Sequence, residues 1–345
     1  MKKLTLIAIV TALLMPILPF SLNAGGKVIY GEDDRIDYNA MPESMKKLAN
    51  SVVSLWSSDD LTLDASKNVY KLKTQKFAEA LNLCKTERFR EQPIGAFCSG
   101  SLVGDDLIMT AGHCITSIEN CKKTKFVFGF AIKKAGEEPK TVKKEDVYSC
   151  SKIVARFLGK EPEEGASTQG LGPDYALIKL DRKVAGRKPL PVNRKNDGLK
   201  KGLAMFVIGH PVGLPVKLAG GASVRDASPE GYFVANLDTY GGNSGSPVFN
   251  AKTKLIEGIL VRGETDFKWT QEDGKWCKVS NVVPNNGGRG EDVTKVSALS
   301  NHIPLSKEEK EAQDLVSQNT VREVKMEDIT SITDDIKQRF MPSSK

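Results

Sequence analysis

From Ser51 onward the chain is written in short apolar runs cut by turn residues. SVVSLW (51–56), FCSGSLV (97–103), DLIMTA (106–111), TKFVFGFAI (124–132), SKIVARFL (151–158) and DYALIKL (174–180) come first. After a stretch rich in Pro, Lys, Asn and Gly near 187–202 come LAMFVIGHP (203–211), GYFVANLD (231–238), SPVFN (246–250) and KLIEGILV (254–261). Each run is of strand length, rich in Val, Ile and Phe, and bounded by Gly, Pro, Asn or Asp. No long helical periodicity interrupts them. The pattern predicts an all-β protein in two halves, 51–190 and 191–304, with PVNRKNDGLKKG (191–202) as the crossing.

The two ends break this rhythm. Residues 1–24 carry a basic start at Lys2 and Lys3, an apolar run from Leu4 to Phe20 and a small residue at Ala24. That is the layout of a signal peptide, so the mature chain is expected to be exported, to the periplasm or the medium. Pro16 and Pro19 and the shortness of the run argue against a membrane anchor, and no stable membrane insertion is expected. Residues 25–50 are polar and read as a leader or arm. From Leu305 to Lys345, SKEEKEAQDLVSQN and MEDITSITDDIKQRF are charged with sparse apolar positions, which predicts a short helical or partly disordered C-terminal extension.

Charge and cysteines narrow the compartment and the partners. Removing Lys2 and Lys3 lowers the formal charge from +7 to +5. The basic runs at 122–125, 143–146 and 194–201 lack interleaved aromatics, and acids interrupt the second and third, so no nucleic-acid partner is expected. Six cysteines, Cys84, Cys98, Cys114, Cys121, Cys150 and Cys277, suit an exported chain with up to three disulfides. With no CxxC and three histidines in the whole chain, no metal site is expected.

TYGGNSGSPVFN (239–250) concentrates the candidate chemistry. A serine hydroxyl is a weak nucleophile near neutral pH and needs a base that is itself oriented by a third group. His113, in IMTAGHC, comes after an apolar run and sits beside Cys114. Cys98 lies 16 residues earlier, and a Cys98–Cys114 disulfide would pin the hairpin that carries the histidine. His210 in VIGHPVG reads as structural, and His302 has no chemical context. Asp174 opens DYALIKL after a proline, where the strand would set its carboxylate at a rim to receive the Nδ1 proton of His113. Gly241 and Gly242 permit backbone conformations closed to other residues. They allow the amides of Gly242 and Ser244 to converge as an oxyanion hole, which favours Ser244 over Ser246 as nucleophile.

TAGHC, DYALIKL and GGNSGSP, in that order, resemble the three signatures of chymotrypsin-fold serine peptidases. GNSGSPVFN, with VIYGEDDR near the mature start, is similar to the bacterial glutamyl-endopeptidase-like members. The resemblance spans roughly residues 28–304. It implies two six-stranded antiparallel β-barrels with the site between them. It also implies a Ser244–His113–Asp174 triad that hydrolyses peptide bonds through an acyl-enzyme. No cofactor is implied, a monomer is expected, and the partners are protein or peptide substrates.

The resemblance also places a specificity pocket. Asp238, six residues before Ser244, would pair with Arg or Lys of the substrate, as in trypsin-type enzymes. Thr239 instead matches a threonine of glutamyl endopeptidases, whose pocket histidine is replaced here by Leu260. Cleavage after Arg or Lys is the expectation adopted, with glutamyl specificity or a catalytically silent binding module as alternatives. Val261 to Gly263 is expected to pair with the substrate backbone. Trypsin-type zymogens pair a new amino terminus with an aspartate before the nucleophile, where this chain has the uncharged Asn243. Related chains begin at a valine like Val28, which implies processing after Lys27. The four remaining cysteines allow three pairings, of which Cys84–Cys121 with Cys150–Cys277 is the one adopted.

Overall fold

The computed structural model describes residues 28–159, 172–307 and 309–311. The expected signal peptide, the leader up to Lys27 and most of the C-terminal extension lie outside the described residues.

Twelve strands build the two halves. The first half contains β1 (Val52–Ser57), β2 (Cys98–Gly104), β3 (Leu107–Thr110), β4 (Thr124–Phe128), β5 (Val147–Leu158) and β6 (Asp174–Leu180). They close into an antiparallel barrel in the order β1-β2-β3-β6-β5-β4. The second half contains β7 (Ala204–Gly209), β8 (Lys217–Asp226), β9 (Tyr232–Ala235), β10 (Pro247–Asn250), β11 (Ile256–Arg262) and β12 (Glu291–Lys295). Here the order β7-β8-β9-β12-β11-β10 is closed by pairing β7 with β10 as well as with β8. The two six-stranded barrels thus share one topology, and closure removes the unpaired edges that an open sheet would present.

The apolar runs become strands because closed barrels bury what alternation leaves inside. In β6, Ala176, Leu177, Ile178 and Leu180 are all buried, and each large aliphatic side chain contributes about 1.5–3 kcal/mol of burial. Ten of the twelve strands coincide with the ten apolar runs. β8, KLAGGASVRD, and β12, EDVTK, have no such run. In β12 the acids are buried rather than solvated: Asp292 accepts from Arg262 at 3.1 Å and from Arg289 at 2.6 Å.

The polar segment after Val28 is an arm laid on the second barrel, although it precedes the first in sequence. Ile29–Tyr30 runs parallel to Val282–Val283, and Ile36–Asp37 pairs antiparallel with β8. Arg35 anchors it with two 2.7 Å bonds to the Asp33 carboxylate and a third, of 2.9 Å, to the Tyr240 hydroxyl. Helix α1 (Glu43–Ala49) then leads into β1. Between β11 and β12 a hairpin of Phe267–Glu272 and Lys275–Ser280 turns at Asp273–Gly274, both at positive φ as a tight hairpin requires.

Three disulfides close. Cys98–Cys114 forms as expected. The other two are Cys84–Cys277 and Cys121–Cys150, which corrects the pairing adopted from sequence. Cys121 lies on a short helix, α2 (Ile118–Lys122), that packs on β5 beside Cys150. Cys84 lies against the hairpin that carries Cys277, where the Cys84 amide donates to the Lys278 carbonyl at 3.0 Å. Near the end of the described chain, Arg194 of the crossing between the barrels binds Glu309 at 2.7 Å and the carbonyls of Ser300, Ile303 and Pro304.

Candidate active site

The register of β6 against β3 pairs Ala176 with Thr110, and its continuation sets Asp174 opposite Gly112, one residue before His113. The Asp174 carboxylate is buried and takes three bonds from that turn. Oδ1 accepts the Gly112 amide at 2.5 Å and the His113 amide at 3.1 Å, while Oδ2 lies 2.6 Å from His113 Nδ1. The aspartate therefore holds both the backbone and the ring of His113. The turn is braced further. Arg156 Nε donates to the carbonyls of Gly112 and Ile115, and the Cys98–Cys114 disulfide ties it to β2. Thr294 of β12 accepts the Asp174 amide at 2.9 Å and donates back to its carbonyl at 3.0 Å, linking the two barrels at this point.

The serine-bearing turn meets the same place from the second barrel. The Ser244 carbonyl accepts the Ser99 amide at 2.8 Å and lies 3.7 Å from Cys114 Sγ. The ring of His113 and the sulfurs of Cys98 and Cys114 cluster within 4.8 Å. Both thiols are consumed in one disulfide, so this cluster is a braced histidine rather than a set of metal ligands. Ser99 Oγ accepts the His210 amide at 2.9 Å and donates to the Gly242 carbonyl at 2.8 Å. Two glycines allow this closeness. Gly242 has φ +82° and Gly245 φ +90°, and a Cβ on either would press on backbone, of His210–Gly213 and of Ser99 respectively. Ser246 is fully buried and gives its hydroxyl to Asn243 Oδ1 at 3.2 Å, a structural post.

His210 is buried and stays neutral. Burial pushes its pKa down to about 3, while Nδ1 is held 2.9 Å from the Leu214 carbonyl. Its ring stacks on Phe130 of the first barrel, at 6.1 Å between centroids.

The pocket residues fall out differently from the triad candidates. Asp238 is buried, and both of its oxygens face the arm: Oδ1 accepts the Tyr30 amide at 2.7 Å and Oδ2 the Asp34 amide at 3.3 Å. Burial, with Asp34 and Asp33 nearby, raises its pKa to about 7. Thr239 Oγ1 donates to Glu291 Oε2 at 3.1 Å. Val261 is buried on β11, and Gly263 comes just after the end of that strand. Ser99, Arg156, Thr294 and Glu291 were not singled out from sequence. Ser99 directly follows Cys98, the one signal that marked its neighbourhood.

Residues 98–256, which contain His113, Asp174 and Ser244, match the family model of the trypsin-like peptidase domain. That stretch resembles a trypsin-like peptidase domain. A curated relative, the glutamyl endopeptidase of Staphylococcus aureus (strain MRSA252), is 27% identical over 173 residues, covering 48% of this chain and 43% of the relative. The chain therefore matches less than half the length of that relative. Among solved structures, a mutant of human heparin binding protein (CAP37) aligns at TM-score 0.45 and 14% identity over 79% of this chain and 94% of that one. The VesB protease of Vibrio cholerae aligns at 0.41 and 14%, over 80% and 66%. β1, all but the first residue of β11, and β12 with Glu291 and Thr294 lie outside the matched residues.

Proposed function

We propose that this chain is an exported serine endopeptidase that uses Ser244 as nucleophile, His113 as general base and acid, and Asp174 to orient the histidine. The observation that carries the reading is the grip of Asp174 on both the ring and the backbone of His113. A carboxylate 2.6 Å from Nδ1 selects the tautomer with its proton on Nδ1 and leaves Nε2 as the acceptor. Ser244 Oγ attacks the scissile carbonyl while Nε2 takes its proton. The amides of Gly242 and Ser244 receive the oxyanion. The proton passes to the leaving amine as the acyl-enzyme forms, and water releases the acid by the same steps in reverse roles.

The specificity assignment changes. Asp238 holds the arm through two backbone amides, so it serves as an anchor and not as the partner of a basic substrate side chain. A library of peptides varied at the residue before the cut checks this: Asp238→Asn is expected to leave the preference unchanged. A loss of Arg or Lys selectivity in that variant would restore the pocket role.

The activity itself is tested with a fluorophosphonate probe on the processed protein. Wild type is expected to label and to hydrolyse peptides, and Ser244→Ala to do neither. Equal labelling of the two would refute the assignment, and no labelling of wild type would favour the silent binding module.

A further inference from the structure

The hairpin between β11 and β12 holds two of the chain's three tryptophans in the open. Trp269 is 57% and Trp276 62% exposed, whereas Trp56 is fully buried. The ladder register sets Trp269 opposite Lys278 and Gln271 opposite Trp276. These four side chains therefore share one face of the ribbon, with the two indoles on a diagonal. The other face carries Cys277, whose disulfide to Cys84 turns it toward the body of the protein. Two large aromatic side chains exposed side by side form a patch rather than scattered surface residues.

The hairpin is braced where it leaves the barrel. Phe267 packs against Phe77 and Tyr240, at 6.1 and 4.7 Å between ring centroids. Asn82 donates its side-chain amide to the Trp276 carbonyl at 3.1 Å, and its own carbonyl accepts the Lys278 amide at 2.8 Å. A face held this way loses little freedom on meeting a partner. Its charges are sorted as well. Glu272 accepts the Lys85 amide at 2.7 Å and Asp273 pairs with Lys85 Nζ at 2.8 Å, which draws both acids to the segment after Cys84. Lys268, Lys275 and Lys278 have no acidic partner among the described residues, and Lys278 Nζ lies 5.1 Å from the centroid of the Trp269 ring. Of the hairpin side chains on the indole face, Lys278 carries the one charge. Exposed indoles with lysines about them suit a surface that is anionic outside and apolar just beneath. Tryptophan settles at the boundary of a bilayer, ring toward the acyl chains and N–H among the head groups. Lysines beside it are attracted to anionic lipid. A polysaccharide would ask for more hydrogen-bonding groups than Gln271 and Lys278 supply.

We propose that the Trp269–Trp276 face docks this protein reversibly on a bilayer that contains anionic lipid, with Lys268, Lys275 and Lys278 directed to the head groups. This is contact with an interface and needs no spanning segment. The test uses the exported chain carrying Ser244→Ala, which prevents self-digestion, and vesicles of phosphatidylcholine with or without phosphatidylglycerol. The protein is expected to sediment with the anionic vesicles, less so as salt is raised. Its tryptophan emission should shift to the blue, a change that reports on Trp269 and Trp276 because Trp56 is already buried. Brominated lipid tails should quench that emission, a readout that requires no hairpin variant. Trp269→Ala combined with Trp276→Ala should weaken vesicle binding at least about tenfold, and Lys278→Ala about fivefold. Thermal melts check that each variant folds, and quenching of the parent protein decides alone if the double variant does not. Failure to sediment with anionic vesicles at low salt, or binding that survives the loss of both tryptophans, would overturn the proposal. So would retention by an acidic polysaccharide without vesicle binding, which would assign the face to a glycan.

Discussion

Asp174 does two jobs with two oxygens, and the substitution Asp174→Asn separates them. Asparagine retains a carbonyl oxygen for the amides of Gly112 and His113 but replaces the other acceptor with an N–H donor. The turn should survive, and the ring of His113 should take the wrong tautomer. The expected result is a fall in kcat of about 10⁴-fold, the size seen for this exchange in a related triad, with little change in melting temperature. Steady-state kinetics beside thermal melts checks it, and a variant that keeps its rate would remove Asp174 from the mechanism. At this scale the sequence was informative where chemistry and local pattern coincide. TAGHC, DYALIKL and GGNSGSP each join a strand end to a reactive side chain within a few residues. The contacts of Asp238 with the arm were not legible, because Tyr30 and Asp34 lie 208 and 204 positions upstream.

The arm is an element whose attachment depends on a proton. Asp238 ionises near pH 7 in the folded state and near 3.8 when unfolded, chiefly because it is buried. A raised folded pKa contributes stability that is complete below about pH 3.8 and is lost as pH rises through about 7. Thermal melts between about pH 4 and 8 should show this dependence in wild type and lose it in Asp238→Asn, whose neutral side chain still accepts an amide. Matching pH profiles would refute it. Strands were legible where apolar runs are bounded by turn residues, which located ten of the twelve. β8 escaped because its Gly, Ala and Ser residues carry little apolar pattern. β12 escaped because its acids look solvated until Arg262 and Arg289 are brought to them.

Across the whole molecule, the contacts that join the two barrels include a shared apolar core, the bond from Ser99 to the Ser244 turn, Thr294 to Asp174, and His210 against Phe130. His210 makes the junction acid-sensitive. Its pKa falls from 6.5 to about 3 on folding, through burial, so its contribution is full above pH 6.5 and is lost as pH falls toward 3. The loss amounts to about 1.4 kcal/mol per pH unit in that window. Urea unfolding between about pH 4 and 7 should show a slope that His210→Gln reduces, and an unchanged slope would assign the acid loss elsewhere. The disulfides show the same dependence on scale. Cys98–Cys114 follows from one hairpin. Cys84–Cys277 links residues 193 apart and exists only once the hairpin before β12 has met the segment after β1.

The arm also orders events in time. Residues 28–37 leave the ribosome well before their ladder partners at 217–218 and 282–283. At ~5–20 residues per second, the delay between Ile29 and Val283 is on the order of ten to fifty seconds. The first barrel can close in that interval, whereas the second must wait for the opening words of its own chain to return.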